Sequence, residues 1–401
     1  MRSVVLLLFV LVTGSAAARQ AVPPAPPLVR AGVDVLRTRG FSPLDGQRVA
    51  LLTNLAARTR DGELTLDVLR RAPNVQLVAL FAPEHGLTAT QDERIASGQD
   101  ARTGLPVHSL YGDTRRPTAD MLEGVDVIVI DLPDVGARFY TYVTTMGYVL
   151  EEAGRAGVAV MVLDRPNPIN GVDIEGPLLD ADLASFVGYH QTPVRHGMTL
   201  GELARLFNEE RKLGADLAVI EAEGWTRDRW FDQTGLPWSN PSPNIRTLAA
   251  AALYPGIGAI EWSNISVGRG TPAPFEQLGA PWIDGRALAL MLNARRIPGV
   301  AFTATTFTPE SSVYANEACS GVAITITDRD ALRPVRLGIE VATAIWRLHS
   351  DRFDFGRTAQ LLGSRETIDR ILRGEDPAVI AALWTADEAR WRALRATYLR
   401  Y

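Results

Sequence analysis

The amino-acid sequence predicts an α/β protein, with a parallel-sheet domain over residues 31–265 and a smaller α+β domain over residues 266–401. Three observations carry the prediction. Continuous apolar runs such as VQLVALFAPEHG and DVIVIDLPDVG are bounded by turn residues, as strands covered on both faces are. Amphipathic segments alternate with these runs, the order that βαβ units and a parallel sheet require. In the last third the alternation changes, and VAFTATTFTPE and GVAITITD take the two-residue period of half-exposed strands.

Taken in order, RVALLTN reads as a strand, LTLDVLRRA as a helix and VQLVALFAPEHG as a strand. DVIVIDLPDVG, the helix YVTTMGYVLEEAGRAG and the strand VAVMVLDRPNP follow. TLGELARLFNEERKLG places Thr199 three residues before Glu202, a capping-box start, and stops at Gly214. DLAVIEAEGW is a further strand, and a Pro-rich polar passage then leads into LAAAALYPGIGAIEWSNISVGRGT. ALRPVRLGIEVATAIWRLHS and the Arg- and Trp-rich stretches after it read as helices.

The N-terminus MRSVVLLLFVLVTGSAAARQ has one Arg, Arg2, ahead of a short apolar core that is followed by Ala16-Ala17-Ala18, the pattern of a signal peptide over residues 1–18. Residues 19–30 form a Pro-rich linker. The apolar run is too short for a spanning helix, so the expectation is an exported protein, periplasmic or secreted, without stable membrane insertion after cleavage. Cys319 is the single cysteine, which leaves no intrachain disulfide and puts stability on the hydrophobic core. The formal net charge of −5 gives no electrostatic support to a nucleic-acid partner.

In an open parallel sheet, ligands bind beyond the carboxyl ends of the strands. Those exits carry Asn54, then Glu84 and His85, then Asp131, Asp134 and Arg138, then Asp164, Arg165 and Asn167. Polar residues also cap helices and form turns, but four such groups at one end of a sheet point to a polar cleft. The chain has no G-x-S-x-G elbow, no phosphate-cradling G-x-x-x-x-G-K-[ST] and no complete dinucleotide fingerprint. Its five histidines are scattered without H-E-x-x-H or a Cys/His cluster, so no zinc is expected; a carboxylate-bound Ca²⁺ or Mg²⁺ stays open, and no metal or cofactor is assigned. The remaining inventory of carboxylates, amides, Arg, Tyr and Trp suits a carbohydrate. Glycoside hydrolysis uses two carboxyl groups, and burial of Glu84 beside Pro83 would favour its protonated, acid-donating form. In the alternative, Glu84 caps the next helix or pairs with His85.

FAPEHGLTA, PVHSLYG, DLPDVGARFYTY, LDRPNPING, EGPLL, FVGYHQTPVRHGMTLGELA, NPSPNI, EWSNISVGRGT and PFEQLGAPWID follow one another as in the NamZ-like exo-β-N-acetylmuramidases, which the chain resembles from about Val33 to its end. The resemblance implies a Rossmann-like domain, a smaller second domain and a site in the cleft between them. It implies release of terminal β-linked N-acetylmuramic acid from the non-reducing ends of peptidoglycan fragments. Glu84 in PEHG is carried over as general acid, with Glu175 preferred over Glu261 as the second carboxylate. The lactyl carboxylate of the sugar calls for an Arg fork, and Arg269 and Arg195, the latter beside His196, are chosen over Arg138 and Arg165. Tyr111, Tyr140 and Tyr142 are expected to line sugar subsites, and Asn240, Ser242 and Asn244 to present hydrogen bonds. A non-catalytic periplasmic binding protein for muropeptides or another anionic saccharide fits the same two domains, cleft and export signal. An esterase or amidase acting on a wall substituent is the third reading.

Overall fold

A computed structural model describes residues 28–90 and 95–401; the expected signal peptide and all but the last three residues of the linker lie outside the described residues. The first six strands are β1 (Arg48–Thr53), β2 (Gln76–Ala82), β3 (Gly98–Gln99), β4 (Pro106–Ser109), β5 (Val127–Asp131) and β6 (Ala159–Leu163). A two-stranded ribbon, β7 (Glu175–Leu178) and β8 (Pro193–Arg195), precedes β9 (Leu217–Ile220). The main sheet has the order β3-β4-β2-β1-β5-β6-β9, parallel throughout except for the short edge pair β3–β4. The chain thus winds outward from β1 through β2 and β4, then returns to β5 on the other side and winds the opposite way. That reversal is the topological switch at which doubly wound sheets leave a crevice.

Alternation along the strands divides the core. Val49 and Leu51 face one layer, with Val33, Leu36, Leu66 and Leu69 from the helices Gly32–Thr38 and Thr65–Arg71. Ala50 and Leu52 face the other, with Met146, Val149, Leu203 and Phe207 from the helices Tyr142–Ala156 and Leu200–Glu210. Side chains of successive strand residues point to opposite faces, so strands sandwiched between helix layers read as unbroken apolar runs. The predicted cap at Thr199 is present, its hydroxyl accepting from the Glu202 N–H while the Glu202 carboxylate accepts from the Thr199 N–H.

The second domain holds β10 (Gln277–Ala280), β11 (Val300–Phe307) and β12 (Cys319–Ile326) in an antiparallel sheet of order β10-β12-β11. Its long helix Pro334–His349 crosses the helix Leu248–Ile257 with backbone against backbone. A Cβ on Gly256 would lie 1.7 Å from the Pro334 carbonyl oxygen, and one on Gly338 would lie 2.5 Å from the Gly256 carbonyl oxygen. The apolar cluster on the second face of the main sheet continues without interruption through Tyr254, Phe275, Leu278, Leu337 and Val341. The two domains therefore share one core.

Several residues expected in the site instead tie these parts together. Glu175 is buried and accepts from the Val335 and Arg336 N–H groups at 3.1 and 2.7 Å, capping the helix Pro334–His349. Arg138, fully buried, donates to the carbonyls of Pro177, Thr192 and Leu361. Arg195 donates to the Ile169 carbonyl and pairs with Asp173 at 3.1 Å. The His196 carbonyl accepts from the Trp391 indole N–H, while its Nδ1 accepts from the Met198 N–H. Asp164 accepts from the Thr199 and Tyr401 hydroxyls and the Gly201 N–H. Polar groups carried this far from water need such partners, and the chain supplies them from distant segments.

Gly256→Ala is expected to cost about 3 kcal/mol or more, because the added methyl meets backbone that no rotamer change can clear; a urea-unfolding midpoint equal to that of the native chain would contradict the close approach. Glu175 gives a pH prediction. Burial pushes its carboxyl up to about 7 from an ordinary 4.5, against the pull of the Arg336 and Val335 N–H groups and of Arg195. A carboxyl whose pKa rises on folding contributes stability that is fully present below its unfolded pKa and lost as pH climbs through the folded one. Native stability should therefore fall by on the order of 3 kcal/mol between pH 4 and 8 from this group. Glu175→Gln should flatten the fall, as read from urea unfolding of both proteins at the two pH values.

Candidate active site

Glu84 stands at the carboxyl tip of β2, beyond Ala82 and Pro83. His85 and Gly86 both have φ of 71°, and the Gly86 N–H donates to the Pro83 carbonyl at 3.0 Å. Two consecutive left-handed residues turn the chain sharply, which releases Glu84 from the sheet. Glycine takes that conformation freely; His85 takes it at a cost of about 1–2 kcal/mol, which the surrounding fold must hold in place.

Residues at the start of the helix Tyr142–Ala156 fix Glu84 twice. The Thr141 hydroxyl meets the Glu84 carboxylate at 2.5 Å. A hydroxyl donates to an ionised carboxylate and accepts from a protonated one, so this contact survives a change of protonation state. The Tyr142 hydroxyl lies 3.2 Å from the Glu84 carbonyl and 2.8 Å from that of Pro241, and accepts from the Asn54 amide at 2.9 Å. Asn54 in turn accepts from the Ala56 N–H. Tyr142, expected at a subsite, is instead a buried post that joins the ends of β1 and β2 to the Pro-rich loop.

Glu84 opens onto a cavity of about 450 Å³, within the range of roughly 300–1,000 Å³ usual for small-molecule sites. The first domain contributes Glu84, His85, Tyr111, Tyr140, Thr141, Glu261 and Trp262 to its wall, and the second contributes Arg269, Phe275, Ser311 and Ser312. Tyr254, from the helix Leu248–Ile257, also faces it. Glu261 and Arg269 are paired, with Nε and one terminal nitrogen of Arg269 at 2.9 and 2.8 Å from the same carboxylate oxygen. Gly268 and Gly270, at φ of 79° and 74°, bend the chain on both sides of Arg269. Burial first, and then the charge of Glu261, raises the Tyr254 phenol well above its ordinary pKa, so it faces the cavity as a neutral donor.

Of the residues expected from sequence, the structure brings together Glu84, His85, Tyr111, Tyr140, Glu261 and Arg269. Asn54 supports them from behind through Tyr142. Asn240 accepts from the Trp238 indole N–H at 3.2 Å and Asn244 is buried, and of this loop only Ser242 and Ile245 reach the cavity. Glu175, Arg138, Asp164, Arg195 and His196 lie outside the cavity wall, in the ties described above. Thr141, Tyr254, Trp262, Phe275 and the Ser311–Ser312 turn were not expected. Trp262 sits beside Glu261 in sequence and Tyr254 is the lone hydroxyl of an apolar helix, both readable signals; nothing in the sequence marks Ser311 and Ser312.

Residues 49–249 match the family described as "Exo-beta-N-acetylmuramidase NamZ, N-terminal", and residues 252–401 match its C-terminal counterpart. The chain is 45% identical over 331 residues to the peptidoglycan beta-N-acetylmuramidase NamZ of Bacillus subtilis (strain 168), covering 82% of this chain and 80% of that protein. Two crystal structures of DUF1343 family proteins from Bacteroides fragilis NCTC 9343 superpose with TM-scores of 0.85 and 0.77, at 35% and 29% identity. Each aligns over 93% of this chain and 99% of its own. Family matches over residues 49–249 and 252–401, with a relative 45% identical over 331 residues, make the chain a member of the NamZ exo-β-N-acetylmuramidase family.

Proposed function

We propose that the protein is an exo-acting glycoside hydrolase that releases terminal β-linked N-acetylmuramic acid from the non-reducing ends of peptidoglycan fragments. The observation that carries this is Glu84, held by Thr141 at the wall of a cavity that also contains the Glu261–Arg269 pair. Its relative in Bacillus subtilis, a peptidoglycan beta-N-acetylmuramidase, supports the same substrate. Glu84 protonates the glycosidic oxygen as the bond breaks. Glu261, its charge paired with Arg269, is the second carboxylate in place of Glu175, and it stabilises the positive charge that develops at the anomeric carbon. Arg269 gives the lactyl carboxylate a cation at the cavity wall, where neither Arg138 nor Arg195 reaches. Aromatic faces of Tyr111, Tyr254 and Trp262 cover the sugar. Residues 1–18, with their short apolar core and Ala16-Ala17-Ala18, support export, which would bring the enzyme to its polymer.

The test is hydrolysis of a chromogenic β-N-acetylmuramide beside the matching β-N-acetylglucosaminide. The native protein should cleave the first alone, and Glu84→Gln should lower kcat by about 100- to 10,000-fold. Failure of the native protein to turn over the muramide, with muramic acid still bound tightly, would make it a saccharide-binding protein. Arg269→Ala should weaken binding of N-acetylmuramic acid about tenfold or more, in line with loss of a charge-assisted contact. Calorimetry should show the weaker binding of N-acetylglucosamine unchanged, and equal losses for both sugars would remove Arg269 from carboxylate recognition.

A further inference from the structure

Tyr111 belongs to two walls. One side of it lines the cavity, and the other lines an open depression of about 680 Å³ formed with Asp113, Thr114, Arg115, Arg116 and Tyr148. The depression is floored with aromatic rings. Tyr111 and Phe186 stack with centroids 6.0 Å apart at 29°, and Tyr148 lies 6.0 Å from the same Phe186. The Arg115 guanidinium lies 4.3 Å from the centre of Phe186 and 5.6 Å from that of Tyr111. Its neighbour Arg116 also covers a ring, Tyr148 at 3.7 Å, but is paired with Glu151 and Glu152. No carboxylate among the described residues pairs with Arg115, which is exposed. A guanidinium steadied on aromatic faces and left open to solvent on its other edge is suited to a carboxylate from outside.

We infer that this depression is the leaving-group site: it holds the saccharide on the reducing side of the cleaved bond, with a sugar face on Tyr111 and a carboxylate of the next muramic acid unit on Arg115. The inference rests on the muramidase reading, which puts the terminal sugar in the cavity and leaves the rest of the chain to emerge past Tyr111. Asp113 and Thr114 line the same depression and supply acceptors for sugar hydroxyls. In a glycan where N-acetylglucosamine and N-acetylmuramic acid alternate, the first leaving sugar is uncharged and the second carries an acid. That acid is the lactyl carboxylate in a bare glycan and belongs to the stem peptide in a substituted one.

The experiment compares native protein and Arg115→Ala on three substrates: the chromogenic muramide, a peptide-free tetrasaccharide and its peptide-bearing form. The variant should match the native protein on the muramide, which has no leaving saccharide, and lose about tenfold in kcat/KM on a tetrasaccharide. Arg115→Lys should recover part of the loss, since it restores charge without the planar fork. Loss on the peptide-free glycan assigns Arg115 to the lactyl carboxylate, and loss confined to the peptide-bearing one assigns it to the stem. Equal rates for native protein and variant on all three, or equal losses on all three, overturn the leaving-group site while the muramidase reading stands. No cleavage of the muramide by the native protein overturns both.

Discussion

The site depends on one phenol. The Tyr142 hydroxyl accepts from Asn54 at the tip of β1 and shares its single proton between the carbonyls of Pro241 and Glu84. Three chain segments that are far apart in sequence thereby meet at one oxygen. Burial raises the Tyr142 pKa, so the proton stays and the contact does not dissolve at any ordinary pH. Because Thr141 precedes it, one helix start positions both the backbone and the carboxylate of Glu84. A carboxylate in this place needs such support, since the tip of a strand has no regular structure of its own to hold it.

The same economy explains why the acids at the ends of β5 and β6 stay out of the cavity. Asp131, at the end of β5, is taken by Arg165 and by the Thr65 hydroxyl. Asp164, after β6, is closed off by Thr199 and by Tyr401 from the far end of the chain. Arg395 reinforces that closure through the carbonyls of Gly171, Val172 and Gly197. The C-terminal helix Thr385–Arg395 and the residues after it therefore plug one half of the sheet's carboxyl edge. The other half, at β2, opens onto the cavity.

The fold was legible in the sequence because its determinants are local and periodic. Strands covered by helices on both faces must be continuously apolar, and β1 and β5 are. The Thr199–Glu202 cap needs only its own four residues. The site was legible in part. Glu84 and Arg269 sit in turns forced by glycine, a mark that survives in sequence. Glu175 and Glu261 are both carboxylates near turns, and nothing local distinguishes the helix cap from the cavity residue. The distinction lies in which helix docks beside each, Pro334–His349 for the first, and that is decided by packing across more than a hundred residues of chain. Arg138 and Arg195 misled for the same reason: a buried arginine serving carbonyls and one serving a ligand have the same local sequence.

The contact of Gly256 with Gly338 has a bearing on how this cavity can vary. Tyr254 lies two residues before that contact and Glu261 five after it, so the distance of this wall from Glu84 is gauged by backbone touching backbone. Side-chain exchange cannot tune such a spacing in small steps. The opposite edge is a different material: Ser311 and Ser312 belong to a turn with left-handed residues at Ser312, Tyr314 and Asn316, outside any helix or strand. The cavity thus has one wall of set gauge and one that loop length and composition can redraw. Relatives that accept bulkier chain ends would differ first at that turn, with the two glycines left as they are.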